Sequence, residues 1–216
     1  MSLFKTRDWW VAEVGDGDVP DDICDAGSLI AAHLNSDDPE VTQLVVGSFT
    51  GSLNIYSPQV SVTEDGEQVS GYRADHLLLE TCLNYPVLQL LAGALVGSGN
   101  EHQQLCVLHP SRVVVYSVSM MTGVVNRDAV QSTQGMQAKL TPAYQHVFTR
   151  QAHSAVVGAF GSVRGRDFIC VQSLDGCLSI YEQESFAFCV FLPGALLAGP
   201  LVYLAKSDAF ATISAA

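Results

Sequence analysis

The chain has 216 residues, 48% hydrophobic and 15% charged, with a formal net charge of −12. That length and apolar content support a packed core and exclude a disordered tail. The acidic balance argues against nucleic acid, whose phosphates call for a face rich in lysine and arginine.

The acidity belongs to the start of the chain. Residues 1–75 hold 14 acidic and 3 basic side chains, against 8 and 7 in residues 76–216. The densest part, Asp16, Asp18, Asp21, Asp22 and Asp25, reads as a solvated loop. A calcium loop would need a bidentate glutamate where Gly27 stands. Trp9 and Trp10 precede this run; tryptophan is a common interface anchor, but here the segment is expected to lend a strand to a closing blade. Met1-Ser2-Leu3-Phe4-Lys5 has no apolar signal-peptide core. The six cysteines, at 24, 82, 106, 170, 177 and 189, include no pair with a two-residue gap. They are expected to be reduced and cytosolic, most of them acting as small hydrophobes.

Self-similarity then organises the rest. Leu44–Tyr56, Leu105–Tyr116 and Phe168–Tyr181 are each an apolar run, a polar turn and a run closing on tyrosine. The turns hold Thr50-Gly51, Pro110-Ser111 and Asp175-Gly176, and alternation in Leu53, Ile55 and Leu178, Ile180 marks half-buried strands. Three β-hairpins are predicted, with both central residues of Asp-Gly at positive φ. Counting back 23 residues from the tyrosines reaches His33, Gly93 and Gly158, each within a small-residue strand. A further strand follows each hairpin, as in Leu77–Glu80 and Phe186–Phe191. Four antiparallel strands per unit describe propeller blades, with small residues crowded toward the axis. The predicted fold is therefore all-β: three blades plus the first strands of a fourth at Leu201–Leu204 and Phe210–Ile213. Residues 1–216 are expected to be the N-terminal part of one propeller that ends before closing. A β-sandwich is the alternative, but it does not explain the repeated register.

Residues 186–205 carry no charge, and that length could span a bilayer. Pro193-Gly194 and Gly199-Pro200 are turn dipeptides, so the run is predicted as buried strands joined by turns. No signature of catalysis appears. Gly47-Ser48 lacks the spacing of a nucleophile elbow, and Gly158, Gly161 and Gly165 lack the lysine of a phosphate loop. His33 and His109 are expected to be core or edge residues rather than ligands. No catalytic, cofactor-binding or metal-binding residue is assigned, no cofactor is expected, and partner-binding residues are not identified. Three classes of function remain: an assembly scaffold, an enzyme or ligand-binding propeller with a central-channel site, and a membrane-inserted protein. The second would need functional groups on the innermost strands, which read Ala31-Ala32-His33, Ala92-Gly93-Ala94 and Val157-Gly158-Ala159.

Specific blocks carry a resemblance. They include Met1–Trp10, Val46–Gly51, Tyr56-Ser57-Pro58, Leu77–Glu80, Pro86–Gln89, Val107–His109, Val115–Ser119, Gly165–Asp167, Glu182–Ser185, Phe191–Gly194 and Gly199–Leu201. In order and over essentially the whole chain, they resemble the family of the ninth Bardet–Biedl syndrome protein. The resemblance implies a seven-bladed propeller followed by an ear-like β domain. It implies a non-enzymatic subunit of the BBSome, a coat-like adaptor that moves membrane proteins to and from cilia. The implied partners are other BBSome subunits and, through them, ciliary membrane-protein cargo and the membrane surface, with no nucleic acid and no small-molecule substrate. The implied location is the cytoplasm, cilium and basal body, peripheral to the ciliary membrane.

Overall fold

Short alternating runs separated by turn residues can satisfy their backbone only by pairing with one another. The computed structural model describes residues 9–12, 23–25, 27–34, 41–59, 61–62, 68–69, 71–97, 102–122, 136–191 and 196–214. The first sheet holds β1 (Leu29–Ala32), β2 (Gln43–Gly47), β3 (Ser52–Tyr56) and, beyond the small hairpin β4 (Ser61–Val62) and β5 (Gln68–Val69), β6 (Leu77–Cys82). The second holds β7 (Gln89–Gly93), β8 (Gln104–His109), β9 (Arg112–Thr122) and β10 (Met136–Val147). The third holds β11 (Ala152–Gly158), β12 (Phe168–Ser173), β13 (Cys177–Glu182) and β14 (Ser185–Phe191). The pair β15 (Leu196–Leu204) and β16 (Ala209–Ser214) opens a fourth unit. Each four-stranded sheet is an antiparallel meander, and none closes on itself. The chain is all-β, a partial β-propeller of three blades and the first half of a fourth.

The repeat seen in the sequence is a register in space. Tyr56, Tyr116 and Tyr181 stand opposite Leu44, Leu105 and Ile169. Those in turn pair with Ala31, Ala92 and Val157 on the innermost strands. The offset of 23 residues thus lands one or two positions past the true partner, at the end of the inner strand.

Each core cluster is shared by two consecutive sheets, which is what face-to-face blades require. The first joins Val45, Leu53 and Ile55 to Leu90, Leu105 and Val107. The second joins Cys106, Leu108 and Val115 to Ala155, Ile169 and Val171. The third joins Cys170, Leu178 and Ile180 to Leu201. All six residues of β8 and of β12 are buried. Alternate side chains of these strands enter different clusters, so a strand covered on both faces reads as a continuous apolar run rather than an alternating one.

Backbone-mimicking bonds hold neighbouring blades in register. The residue just before the second strand of a unit receives an N–H from the end of the inner strand in the preceding unit. The His33 N–H donates to the Gln103 amide oxygen at 3.1 Å, and the Ala94 N–H donates to Asp167 Oδ2 at 2.9 Å. In the fourth unit, the Gly161 N–H donates to Asp208 Oδ1 at 2.9 Å. For Gln103 and Asp167 the backbone closes the ring: their own N–H groups donate back to the carbonyls of His33 and Ala94, at 3.0 and 2.8 Å. Replacing Asp167 by alanine is expected to lower the unfolding free energy by about 1–2 kcal/mol, and by asparagine much less. Urea denaturation of the two variants checks this; equal losses would mean that the carboxylate only fills space.

Three expectations are corrected. Gly199-Pro200 is not a turn: β15 runs through it, and the register with β16 shifts between Leu196 and Leu201. Proline is tolerated at such an irregularity because no ladder bond is asked of its nitrogen there. The Phe186–Phe191 segment is a strand but not a buried one. It is the outermost strand of its blade, and Phe186, Phe188 and Phe191 are each more than half exposed. In the Asp175-Gly176 turn only Gly176 has positive φ (82°). The Gly176 N–H donates to the Ser173 carbonyl, which makes Leu174 and Asp175 the central pair. The Ser48–Gly51 turn repeats this, with Gly51 at φ 96°. Pro193 and Gly194 lie outside the described residues, and no described helix is long and apolar enough to cross a membrane.

Candidate interaction site

The residues singled out in the sequence scatter over the blades. Trp10 fastens the N-terminal segment to the first blade. Its indole N–H donates to His76 Nδ1 at 3.0 Å, and its ring meets the edges of Tyr56 and Tyr72. Residues 9–12 form no strand, so the expected strand-lending is not found there; Trp9 is half exposed. Of the acidic run only Asp25 is described, while Asp16, Asp18, Asp21 and Asp22 lie outside the described residues. His33 is exposed at the end of β1. His109 is buried, its ring nitrogen Nδ1 bonded to the Pro86 carbonyl at 2.8 Å, and burial holds it below the usual histidine range.

Cys106, Cys170 and Cys177 are buried, and Cys24, Cys82 and Cys189 are exposed. Burial pushes the thiols of Cys106 and Cys170 up to about 12, which suppresses the thiolate that reactivity needs. Among the described residues no group of three or more histidine, cysteine, aspartate or glutamate side chains could hold a metal ion.

The innermost strands do carry polar groups, but much of that capacity is already engaged between blades. The Gln89 amide pairs with the Ala155 backbone in both directions, at 3.0 and 2.8 Å. Ser154 donates to Gln172 at 3.1 Å within its own blade. Side chains tied in this way hold neighbouring strands in register.

Among the described residues one concave surface, about 330 Å³, lies at the inner strands past Gln89, His153 and Ser154, and two others lie toward the outer strands, between complete blades. One groove, about 480 Å³, runs between the first and second blades, past Tyr85, Arg112, Tyr144 and Gln145. A second, about 430 Å³, runs between the second and third, past His146, Arg150, Cys177, Tyr181 and Cys189. The two are equivalent. Gln145 stands opposite Val114, two residues after Arg112, and Cys189 stands opposite Ser179, two residues after Cys177. In the first groove an arginine bonds a glutamine across this diagonal. In the second, burial and then contact with the Cys189 thiol push Cys177 up. Ring packing closes the floor of the second groove, where His146 stacks on Tyr181 with centroids 4.4 Å apart. Sequence reading missed both grooves. Their walls come from residues far apart in the chain, and no local motif marks them.

Comparison with known proteins adds the following. A family model described as PTHB1 N-terminal matches residues 1–216. Protein PTHB1 of Homo sapiens is 44% identical over 99% of this chain and 22% of its own length. The proteins of the same name from Xenopus laevis and Mus musculus are also 44% identical, over 23% and 22% of their lengths. The chain therefore spans about a fifth of the curated relatives it matches. A crystal structure of BBS1N in complex with ARL6DN, soaked with lead, is 12% identical with a TM-score of 0.36, covering 83% of this chain and 60% of that one. The family label read from the sequence is corrected here: the matching model and relatives carry the name PTHB1, of which the ninth Bardet–Biedl syndrome label is an alias. Matched from end to end by that model, and at 44% identity by three relatives of the same name, the chain belongs to the PTHB1 N-terminal family.

Proposed function

We propose that the chain is the N-terminal propeller region of a non-enzymatic scaffold subunit in the BBSome, the adaptor that traffics membrane proteins to and from cilia. The observation that carries this reading is where its polar side chains go. Gln89, Gln103, Asp167 and Asp208 are bonded to the backbone of neighbouring blades. A surface held rigid in this way suits lasting contact with partner subunits, offered on blade faces and outer strands. Membership of the PTHB1 N-terminal family and the motif resemblance support the assignment. On this reading the protein works in the cytoplasm and at the cilium and basal body, peripheral to the ciliary membrane.

The test is affinity capture of the full chain from ciliated cells, with Ile169→Asp as a control for loss of fold. The expected result is recovery of other BBSome subunits in fixed ratio by the native chain and none by the control. Recovery of the chain alone, or equal recovery by both, would sink the reading.

A further inference from the structure

Arg112 is the first residue of β9, and its guanidinium lies over the Tyr85 ring, with Cζ 4.0 Å from the centroid. Nη1 donates to the Gln145 amide oxygen at 3.2 Å. That is its one hydrogen bond among the described residues, and Nε is buried with no partner. A guanidinium has five N–H donors in a fixed fork, and of its three nitrogens only Nη1 has an acceptor among the described residues. Buried polar atoms are nearly always paired, and an orphan asks for a missing partner.

Arg112 also has no counter-ion among the described residues. The ion pairs among the described residues are Arg73 with Asp75 and Arg150 with Asp175. In a chain of net charge −12 this is not for want of acid. The equivalent groove supplies an internal comparison. Arg150 also leans on an aromatic ring, Phe191 at 5.1 Å, but it is neutralised by Asp175 at 3.2 Å. One groove thus holds a paired arginine and the other a bare one.

We propose that the groove between the first and second blades binds a carboxylate side chain of an extended acidic peptide, gripped by the Arg112 fork. Tyr85 holds the plane of the guanidinium in place before binding, so little side-chain freedom remains to be lost. A planar fork matches a carboxylate in bidentate fashion. The groove, about 480 Å³, is larger than a lone ion needs, and Leu83, Tyr85, Pro142 and Tyr144 line it with apolar and aromatic surface. A carboxylate flanked by apolar groups fits those walls. His109, bonded to the Pro86 carbonyl and held low by burial, stays neutral beside the arginine. The inference is independent of the assembly role proposed above.

The test uses libraries of acetylated, amidated hexapeptides with glutamate, glutamine or lysine fixed at the third position, measured by fluorescence anisotropy on the full chain. Glutamate libraries should bind, and glutamine and lysine libraries should bind at least about tenfold more weakly. Arg112→Gln should erase the preference and Arg112→Lys should reduce it, because a point charge cannot fork. Arg150→Gln should leave it intact, and thermal melts check that each variant is folded. Glutamate preference that survives Arg112→Gln overturns the proposal, as does the absence of any preference in the native chain. Two further arms compete the bound peptide with inorganic phosphate or with phosphatidylserine vesicles. Displacement by phosphate at concentrations similar to peptide would make this a free-anion site, and displacement by vesicles a lipid site. Either result overturns the assignment to a peptide.

Discussion

Replacing Gly93 by valine is expected to cost about 3 kcal/mol of stability, most of what a marginal domain can lose. Gly93 ends the innermost strand of the second blade. A Cβ there would lie 2.5 Å from Val157 Cγ1 and 2.8 Å from Asp167 Oδ2, both in the third blade. Its backbone is not in the left-handed region, so strain in φ is not the issue; the neighbouring blade already occupies the space. The displaced Asp167 would also release the Ala94 N–H, which couples the clash to the loss of an inter-blade bond. Gly158 stands at the matching end of the next inner strand, where a Cβ would lie 2.7 Å from the Tyr203 ring. Urea denaturation of Gly93→Val and Gly158→Val tests both sites. A loss below about 1 kcal/mol at both would mean that the blades pack more loosely than described.

The second expected result separates the blade core from its outer strand. Ile169→Ala should lose about 3–4 kcal/mol, the usual range for a buried aliphatic truncated to alanine. Ile169 is fully buried, placed between Val157 and Tyr181, and belongs to the cluster shared by the second and third blades. Phe191→Ala should change stability by less than about 1 kcal/mol. Phe191 is 54% exposed, and its ring contact is with Arg150, whose side chain is 43% exposed. By sequence alone, the Phe186–Phe191 run reads as a buried strand. The reverse order of these two effects would show that the sheet faces have been assigned the wrong way round.

Much of the architecture was legible before folding. Hairpins β2–β3, β8–β9 and β12–β13 fall where apolar runs flank Gly51, Pro110-Ser111 and Gly176, because short turns allow few backbone solutions. The inner strands were found by their small residues and β16 by Phe210–Ile213. The ending of β10 was not, nor the length of the β9–β10 hairpin. β10 mixes Lys139, Pro142 and Gln145 into a strand with one solvated face, and its apolar pattern is weak.

Local chemistry dictates what each segment of this chain can be, and so the strands, their turns and the repeated tyrosine register could be read residue by residue. Burial of Phe186 or Phe188 could not, since hydrophobicity states a preference and only the position of β14 at the outside of its sheet decides whether anything covers it. The grooves at Arg112 and Cys177 were equally out of reach. Each is made by strands from two blades, and whether an arginine meets Asp175 or stays unpaired depends on how those blades face each other. Turns are settled within a few residues of chain; coverage and charge pairing are settled by which distant surfaces arrive beside them.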